Sequence, residues 1–421
     1  MGDNDVAAER DAAVEQPPAA EQVQASAEVG EVAAEHATSA ASGGPVAEPA
    51  PDIGDGGPDM IQLLTPEGER VPHADYDPSL ADLTTEDLRG LYRDLVLVRR
   101  LDAEGWSLQR QGELGLWPSL LGQEAAQVGS GRALRPQDHA FPTYREHGVA
   151  YCRGLDPLDP LLMWRGVTNG GWDPAQHNFH LYTVVIGSQA LHATGYAMGV
   201  TKDGLVGTGD PERDTAVIAY FGDGASSQGD VNEAFVFAAS YDAPLVFFCQ
   251  NNHWAISEPV TRQTRIPLYQ RARGFGFPGL RVDGNDVLAC LAVTRHCLDE
   301  ARAGNGPLFI EAFTYRMGAH TTADDPTKYR FSAEVEQWKH RDPILRYKTW
   351  LAHQGHADTE FFQQVDREAD AFAADLRERC VTYPEPPAES MWEHVYAEQH
   401  PVMEAERAAY ADYVAGFEEG N

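Results

Sequence analysis

The residues in this chain best placed to do chemistry are Asp223 and Asn252, which lie in Phe221-Gly222-Asp223-Gly224 and in Asn251-Asn252, two motifs separated by 26 residues. A carboxylate and an amide oxygen are hard donors. A hard cation such as Mg2+ seeks oxygen ligands at roughly 2.1 Å and usually keeps phosphate oxygens and water in its shell, so one carboxylate and one amide are a sensible protein share of a metal–diphosphate site. Gly222 and Gly224 allow backbone N–H groups close to anionic oxygens, and a helix N-terminus after them adds its dipole. A GDG triplet alone is common in turns; the paired asparagines make the motif informative.

Those residues need strands to hold them. Thr215–Phe221 (TAVIAYF) reads as an apolar strand, and Val231, Ala234, Phe235, Ala238 and Ala239 make one face of a helix predicted over 228–241. Pro244–Gln250 (PLVFFCQ) reads as a second strand. A strand–helix–strand unit makes its strands parallel. Neighbouring strands stand about 4.8 Å apart, so two side chains just past adjacent carboxyl ends reach one ion. Phe309–Tyr315 (FIEAFTY) reads as another buried strand, which leads into a polar, turn-forming loop containing His320, Thr321, Thr322, Asp324, Asp325 and Pro326. Histidine titrates in a range that suits proton transfer, and such a loop suits a mobile gate. By residue type alone His320 reads equally as a solvated loop histidine. The fold class expected is α/β, a mostly parallel sheet flanked by helices.

The segment GDGASSQGDVNEAFVFAASYDAPLVFFCQNNHWAIS resembles the thiamin diphosphate motif of two-subunit 2-oxo acid dehydrogenases, in their E1 alpha subunits. The likeness runs from about Asp77 to Arg346 and includes Leu108–Gly131, Thr143–Gly148 (TYREHG), Ile186–Gly199 and Tyr315–Arg330. It implies a thiamin diphosphate-binding fold with Asp223, Asn252 and the backbone carbonyl of Trp254 on Mg2+. Tyr144 and Arg145 match the pair that contacts the diphosphate, a role suited to the planar donor fork of arginine. Without the resemblance, Arg145 reads as a surface ion pair. Val184 and Ile186 match positions around the aminopyrimidine ring, and Gly222, Gly224 and Ala225 join the cofactor-binding set; on sequence grounds Val184 and Ile186 are simply strand apolars. His320 matches a histidine at the entrance to the reactive carbon, linked both to the cofactor diphosphate, as a member of the cofactor-binding set, and to reductive acylation of a lipoyl group.

The activity so implied is decarboxylation of a 2-oxo acid, with transfer of the acyl group to the lipoyl arm of a separate E2 acyltransferase. The activating glutamate belongs to an E1 beta chain, so an alpha2beta2 heterotetramer is expected and the chain alone should be inactive. GDGASSQGD, FFCQNN, WAIS and HTTADDPTKYR favour a branched-chain 2-oxo acid. Gln250, where some branched-chain enzymes have arginine, and the bulky Leu116 and Trp117 in a stretch expected to line the pocket argue for pyruvate, the alternative. A non-catalytic thiamin-binding scaffold is the reading from another class. Thr321 stands near a position phosphorylated in some relatives, but nothing in the sequence indicates a kinase.

Residues 1–59 carry 13 acidic side chains and one arginine, a composition that predicts disorder. They have neither the arginine-rich character of a transit peptide nor the apolar core of a signal peptide, so a cytoplasmic location is expected. A formal charge of −33 argues against nucleic acid as a partner. No apolar run approaches the length of a membrane span. The basic stretch Tyr269–Arg273 fits a solvated surface and a phosphate contact equally well. Five cysteines without CxxC spacing read as reduced, buried thiols. Residues 60–350 are expected to form the catalytic domain and 351–421 a helical extension, with helices over Glu360–Cys380 and Trp392–Phe417.

Overall fold

The computed structural model describes residues 57, 59–168, 171–393 and 395–418. The tail expected to be disordered lies almost wholly outside them. Among the described residues the eight strands are β1 (Met60–Ile61), β2 (His139–Phe141), β3 (Val217–Gly222), β4 (Leu245–Asn251), β5 (Trp254–Ala255), β6 (Glu258–Pro259), β7 (Gly279–Asp283) and β8 (Leu308–Phe313). Six of them form one parallel sheet in the order β1-β7-β8-β4-β3-β2, while β5 and β6 pair as a small antiparallel ribbon. The helices that matter below are α1 (Thr85–Arg110), α2 (Glu124–Ala133), α3 (His147–Cys152), α4 (Ser188–Lys202), α5 (Gly229–Ser240), α6 (Val287–Arg302), α7 (Pro343–His353), α8 (Thr359–Thr382) and α9 (Pro401–Glu418).

A parallel sheet covered on both faces needs strands that are apolar throughout, and the β3 and β4 runs meet that demand. Alternation along the pleat then divides them between two cores. Ile218, Tyr220, Val246 and Phe248 join the cluster that includes α2 and α6, whereas Val217, Ala219, Phe221, Leu245 and Phe247 join the one that includes α4 and α5. Helices α2 and α6 cross closely because residue 129 is glycine: a Cβ there would lie 2.6 Å from that of Cys290. Cys249, Cys290, Cys297 and Cys380 are buried, Cys152 is partly so, and all five are free.

The C-terminal region departs from the expected division. A boundary at 350–351 would fall inside α7, whose Trp350 and Leu351 belong to the main core together with Phe362 and Val365 of α8. The helix predicted over 392–417 is two, Ser390–Glu393 and α9, because Pro401 lacks the N–H and the steric room that a helix interior requires and instead opens α9. Among the described residues no helix is long and apolar enough to cross a membrane.

A buried ion pair ties α7 to the sheet. Arg346 donates to Asp283 Oδ2 at 2.7 Å, and Gln62, just beyond β1, donates to the same oxygen at 2.8 Å. Burial pushes the Asp283 carboxyl up, but Arg346, through its charge and hydrogen bond, more than offsets this and holds it below the ordinary value of 3.8. A depressed carboxyl contributes stability that is present above pH 3.8 and is lost as the pH falls further. Arg346→Met strands the carboxylate and should lower stability by about 3–5 kcal/mol at neutral pH, measured by denaturant unfolding.

Candidate active site

β3 ends at Gly222 and β4 at Asn251, and they are adjacent with Gly222 opposite Gln250. Asp223 and Asn252 therefore each stand one residue beyond neighbouring carboxyl ends, as the strand–helix–strand reading requires. Both line a cavity of about 230 Å3, together with Tyr144, Arg145, Ile186, Gly222, Gly224, Ala225, Trp254 and His320. Val184 is not in that lining and is 60% exposed. Neither Leu116 nor Trp117 reaches the cavity, and Trp117 is fully buried, so the bulk of these two side chains does not narrow the pocket toward a smaller acid.

The Asp223 carboxyl is 1% exposed and accepts Gln263 Nε2–H at 2.8 Å. Burial raises it to about 6, against the opposing hydrogen bond from Gln263 and the charge of Arg316. Asn252 is oriented by donating to Gln123 Oε1 at 3.0 Å, while its Oδ1 accepts the Trp254 N–H at 3.3 Å. Gly224 is required by close approach, since a Cβ there would meet that of Ala255 at 2.7 Å. After β4 the chain bends through His253 (φ 74°) and Ile256 (φ 55°), left-handed conformations that are unusual for a histidine and an outlier for a β-branched residue. That bend turns the carbonyls of Trp254 and Ile256 toward Arg316, which donates to them at 2.7 and 3.0 Å. A carbonyl has two lone pairs, so the Trp254 oxygen retains one for a cation.

Arg316 is the residue that sequence reading missed. It lies three positions past the end of β8, and the logic that singled out Asp223 and Asn252 at strand ends would have found it. Arg145, 5% exposed, donates to Ser119 O, to His320 O at 2.9 Å and to His320 Nδ1 at 3.2 Å. Neither guanidinium has a carboxylate within 4 Å among the described residues. Burial and the neighbouring Arg145 lower Arg316 to about 10.

Because a guanidinium can only donate, His320 Nδ1 must accept, and the neutral ring carries its proton on Nε2, 3.4 Å from the Tyr144 hydroxyl. Burial, then Arg145 and Arg316, push the imidazole down to about 3, with Asp324 opposing. Arg271 of the basic stretch lies outside the cavity lining and braces the turn after Asp223 by donating to Ser226 O at 2.8 Å.

The donor set can be tested against a metal–diphosphate group. Among the described residues no three His, Cys, Asp or Glu side chains cluster as a metal site of their own. One carboxylate, one amide oxygen and one carbonyl hold Mg2+ only if a ligand supplies further oxygens. Two buried guanidiniums without carboxylates face the same space. The residues fit a diphosphate with its cation.

Residues 92–389 match the family described as dehydrogenase E1 component. The chain belongs to that family. This E1 component is 45% identical over 348 residues to the 3-methyl-2-oxobutanoate dehydrogenase subunit alpha of Mycobacterium tuberculosis (strain ATCC 25618 / H37Rv), covering 82% of this chain and 92% of the relative. It is 40% identical over 299 residues to the pyruvate dehydrogenase E1 component subunit alpha of Staphylococcus aureus (strain MRSA252), covering 70% and 78%.

Behind the cavity wall of the E1 component, His147 is fully buried, accepting from the Tyr182 hydroxyl at 2.7 Å and donating to Pro118 O at 3.1 Å. Burial lowers its pKa from 6.5 to about 3, with Arg145 adding to the effect and the Pro118 bond opposing. A depressed histidine stabilises the fold above pH 6.5 and loses that contribution as the pH falls toward 3. Relative to wild type, His147→Asn should therefore show a pH dependence of stability flatter by about 1.4 kcal/mol per pH unit between pH 6 and 4. Parallel slopes in denaturant titrations would refute this.

Proposed function

We propose that the chain is the alpha subunit of a branched-chain 2-oxo acid dehydrogenase E1, which uses thiamin diphosphate and Mg2+ and passes the acyl group to a lipoylated E2 acyltransferase. The observation that carries this reading is the pair of carboxylate-free guanidiniums, Arg145 and Arg316, facing one cavity with the oxygens of Asp223 and Asn252. The cofactor, when bound, supplies the electron sink for decarboxylation. In this reading Asp223, Asn252 Oδ1 and the Trp254 carbonyl hold the metal, while Arg145, Arg316 and the Tyr144 hydroxyl bind diphosphate oxygens. Backbone N–H groups of Gly222, Gly224 and Ala225 add to that binding. Ile186 packs against the pyrimidine ring, with the Val184 carbonyl as its hydrogen-bond acceptor. At rest the His320 ring is neutral with its one proton on Nε2; a diphosphate charge beside it would raise the ring pKa and so increase the fraction that carries a second proton, the one available to the lipoyl group.

A second chain completes the site. A cavity of about 230 Å3 is smaller than the roughly 300–1,000 Å3 that encloses a whole small ligand. Val184, Val185, Ile186 and Ile256 leave exposed apolar surface at or beside its walls, a surface suited to an E1 beta subunit in an alpha2beta2 assembly. The higher identity to a 3-methyl-2-oxobutanoate enzyme supports the branched-chain substrate over pyruvate. The assembly is assigned to the cytoplasm.

Assays of 3-methyl-2-oxobutanoate and pyruvate decarboxylation, with a dye acceptor and with or without the beta chain, should show turnover only when both chains are present. The ratio of kcat/KM should favour the branched acid by at least about tenfold, the discrimination that one or two methylenes provide. A reversed ratio would assign pyruvate. Asp223→Asn should weaken Mg2+-dependent thiamin diphosphate binding by about 10–100-fold, and unchanged affinity by calorimetry would reject the clamp.

A further inference from the structure

Arg145 and the His320 loop are both fastened to one short segment, Trp117–Leu121. Ser119 O accepts from Arg145, and Pro118 O accepts from His147. Trp117 and Thr322 exchange hydrogen bonds, Trp117 N–H to Thr322 Oγ1 and Thr322 N–H to Trp117 O, each at 3.0 Å. Met317 N–H donates to Leu121 O at 2.9 Å. The segment has no regular secondary structure, so something outside it must fix its course.

That anchor is Asp102 of α1, 4% exposed. Its Oδ1 accepts Trp117 Nε1–H and the Leu120 N–H, both at 2.9 Å, and its Oδ2 accepts the Ser119 hydroxyl at 2.6 Å. No cation lies within 4 Å of this carboxyl among the described residues. Three donors from four consecutive residues converge on one buried side chain, which is absent from the lining of the cofactor cavity.

We propose that Asp102 is a positioning residue for the decarboxylation site, holding the Trp117–Leu121 segment so that Arg145 and the His320 loop stay aimed into the cavity. The inference rests on the diphosphate reading of that cavity. A side chain that acts only through others has a particular signature: its removal matters while they are present and ceases to matter once they are gone.

The test is thiamin diphosphate affinity, titrated calorimetrically with Mg2+ on the chain assembled with its beta subunit. Asp102→Ala should weaken binding by about 10–100-fold, the usual effect of losing an outer partner. Asp102→Asn should restore it to within about threefold, because its oxygen keeps two bonds and its amide nitrogen can donate to the Ser119 hydroxyl. In an Arg145→Met background, Asp102→Ala should add less than about twofold. Wild-type affinity in Asp102→Ala, or full multiplication of its effect with that of Arg145→Met, overturns the proposal. Unchanged affinity in Arg145→Met alone would instead overturn the diphosphate reading. If Asp102→Ala fails to assemble, Trp117→Phe combined with Ser119→Ala deletes two of the three bonds and carries the same criteria.

Discussion

Two guanidinium groups share one buried cavity wall, and burying like charges together is unfavourable unless something else holds them. Here the holders are neutral oxygens: Ser119 and His320 carbonyls for Arg145, Trp254 and Ile256 carbonyls for Arg316. Carbonyl dipoles orient a cation without cancelling its charge, so the wall keeps its attraction for an anion. Much of the local architecture serves this arrangement. The left-handed bend after β4 aims two of those carbonyls, and the Trp117–Leu121 segment supplies a third. Burial first, and then the same field, keep His320 neutral, since its ring lies beside one guanidinium and within the influence of the other.

The sheet makes that wall rigid. Because β3 and β4 divide their side chains between two cores, a shift at their carboxyl ends would disturb packing on both faces at once. Sites built on strand ends of this kind are held more tightly than sites carried wholly by loops. His320 lies farther past its strand end than Asp223, Asn252 or Arg316. It belongs to a loop, and it is kept in place by hydrogen bonds to Arg145 and by Asp324, which accepts from its backbone N–H at 2.8 Å.

How much of this was legible in sequence depended on whether the signal was local. The β3–α5–β4 unit was readable because a short apolar run, a 3.6-residue pattern and a second apolar run are local patterns, and its observed bounds differ from expectation by a residue or two. Asp223, Asn252, Arg145 and His320 were picked out by motif, and the structure brings them to one cavity. Arg316 follows directly on the strand predicted over Phe309–Tyr315 and so had a local mark, but what makes it functional, its carbonyl partners about 60 residues away, is not a local signal. Trp117 was misplaced for the reverse reason. A bulky side chain in a segment beside the site suggested a lining residue, but its Nε1 found Asp102 on α1 and its ring stacked on His147 instead. The C-terminal helices were foreseen by periodicity, but Pro401 breaks the second, and the docking of α7 and α8 on the core depends on long-range contacts.

The sheet also tapers. Its central strands β3, β4 and β8 are six or seven residues long, while β1 and β2 at the two margins have two and three. An outer strand with a long row of free N–H and C=O groups is a template on which another chain can add, so brevity at both margins leaves little backbone on which sheets of separate molecules could join. A chain that carries so many apolar β residues at its centre is thereby guarded against edge-to-edge aggregation by the shortness of its outermost strands.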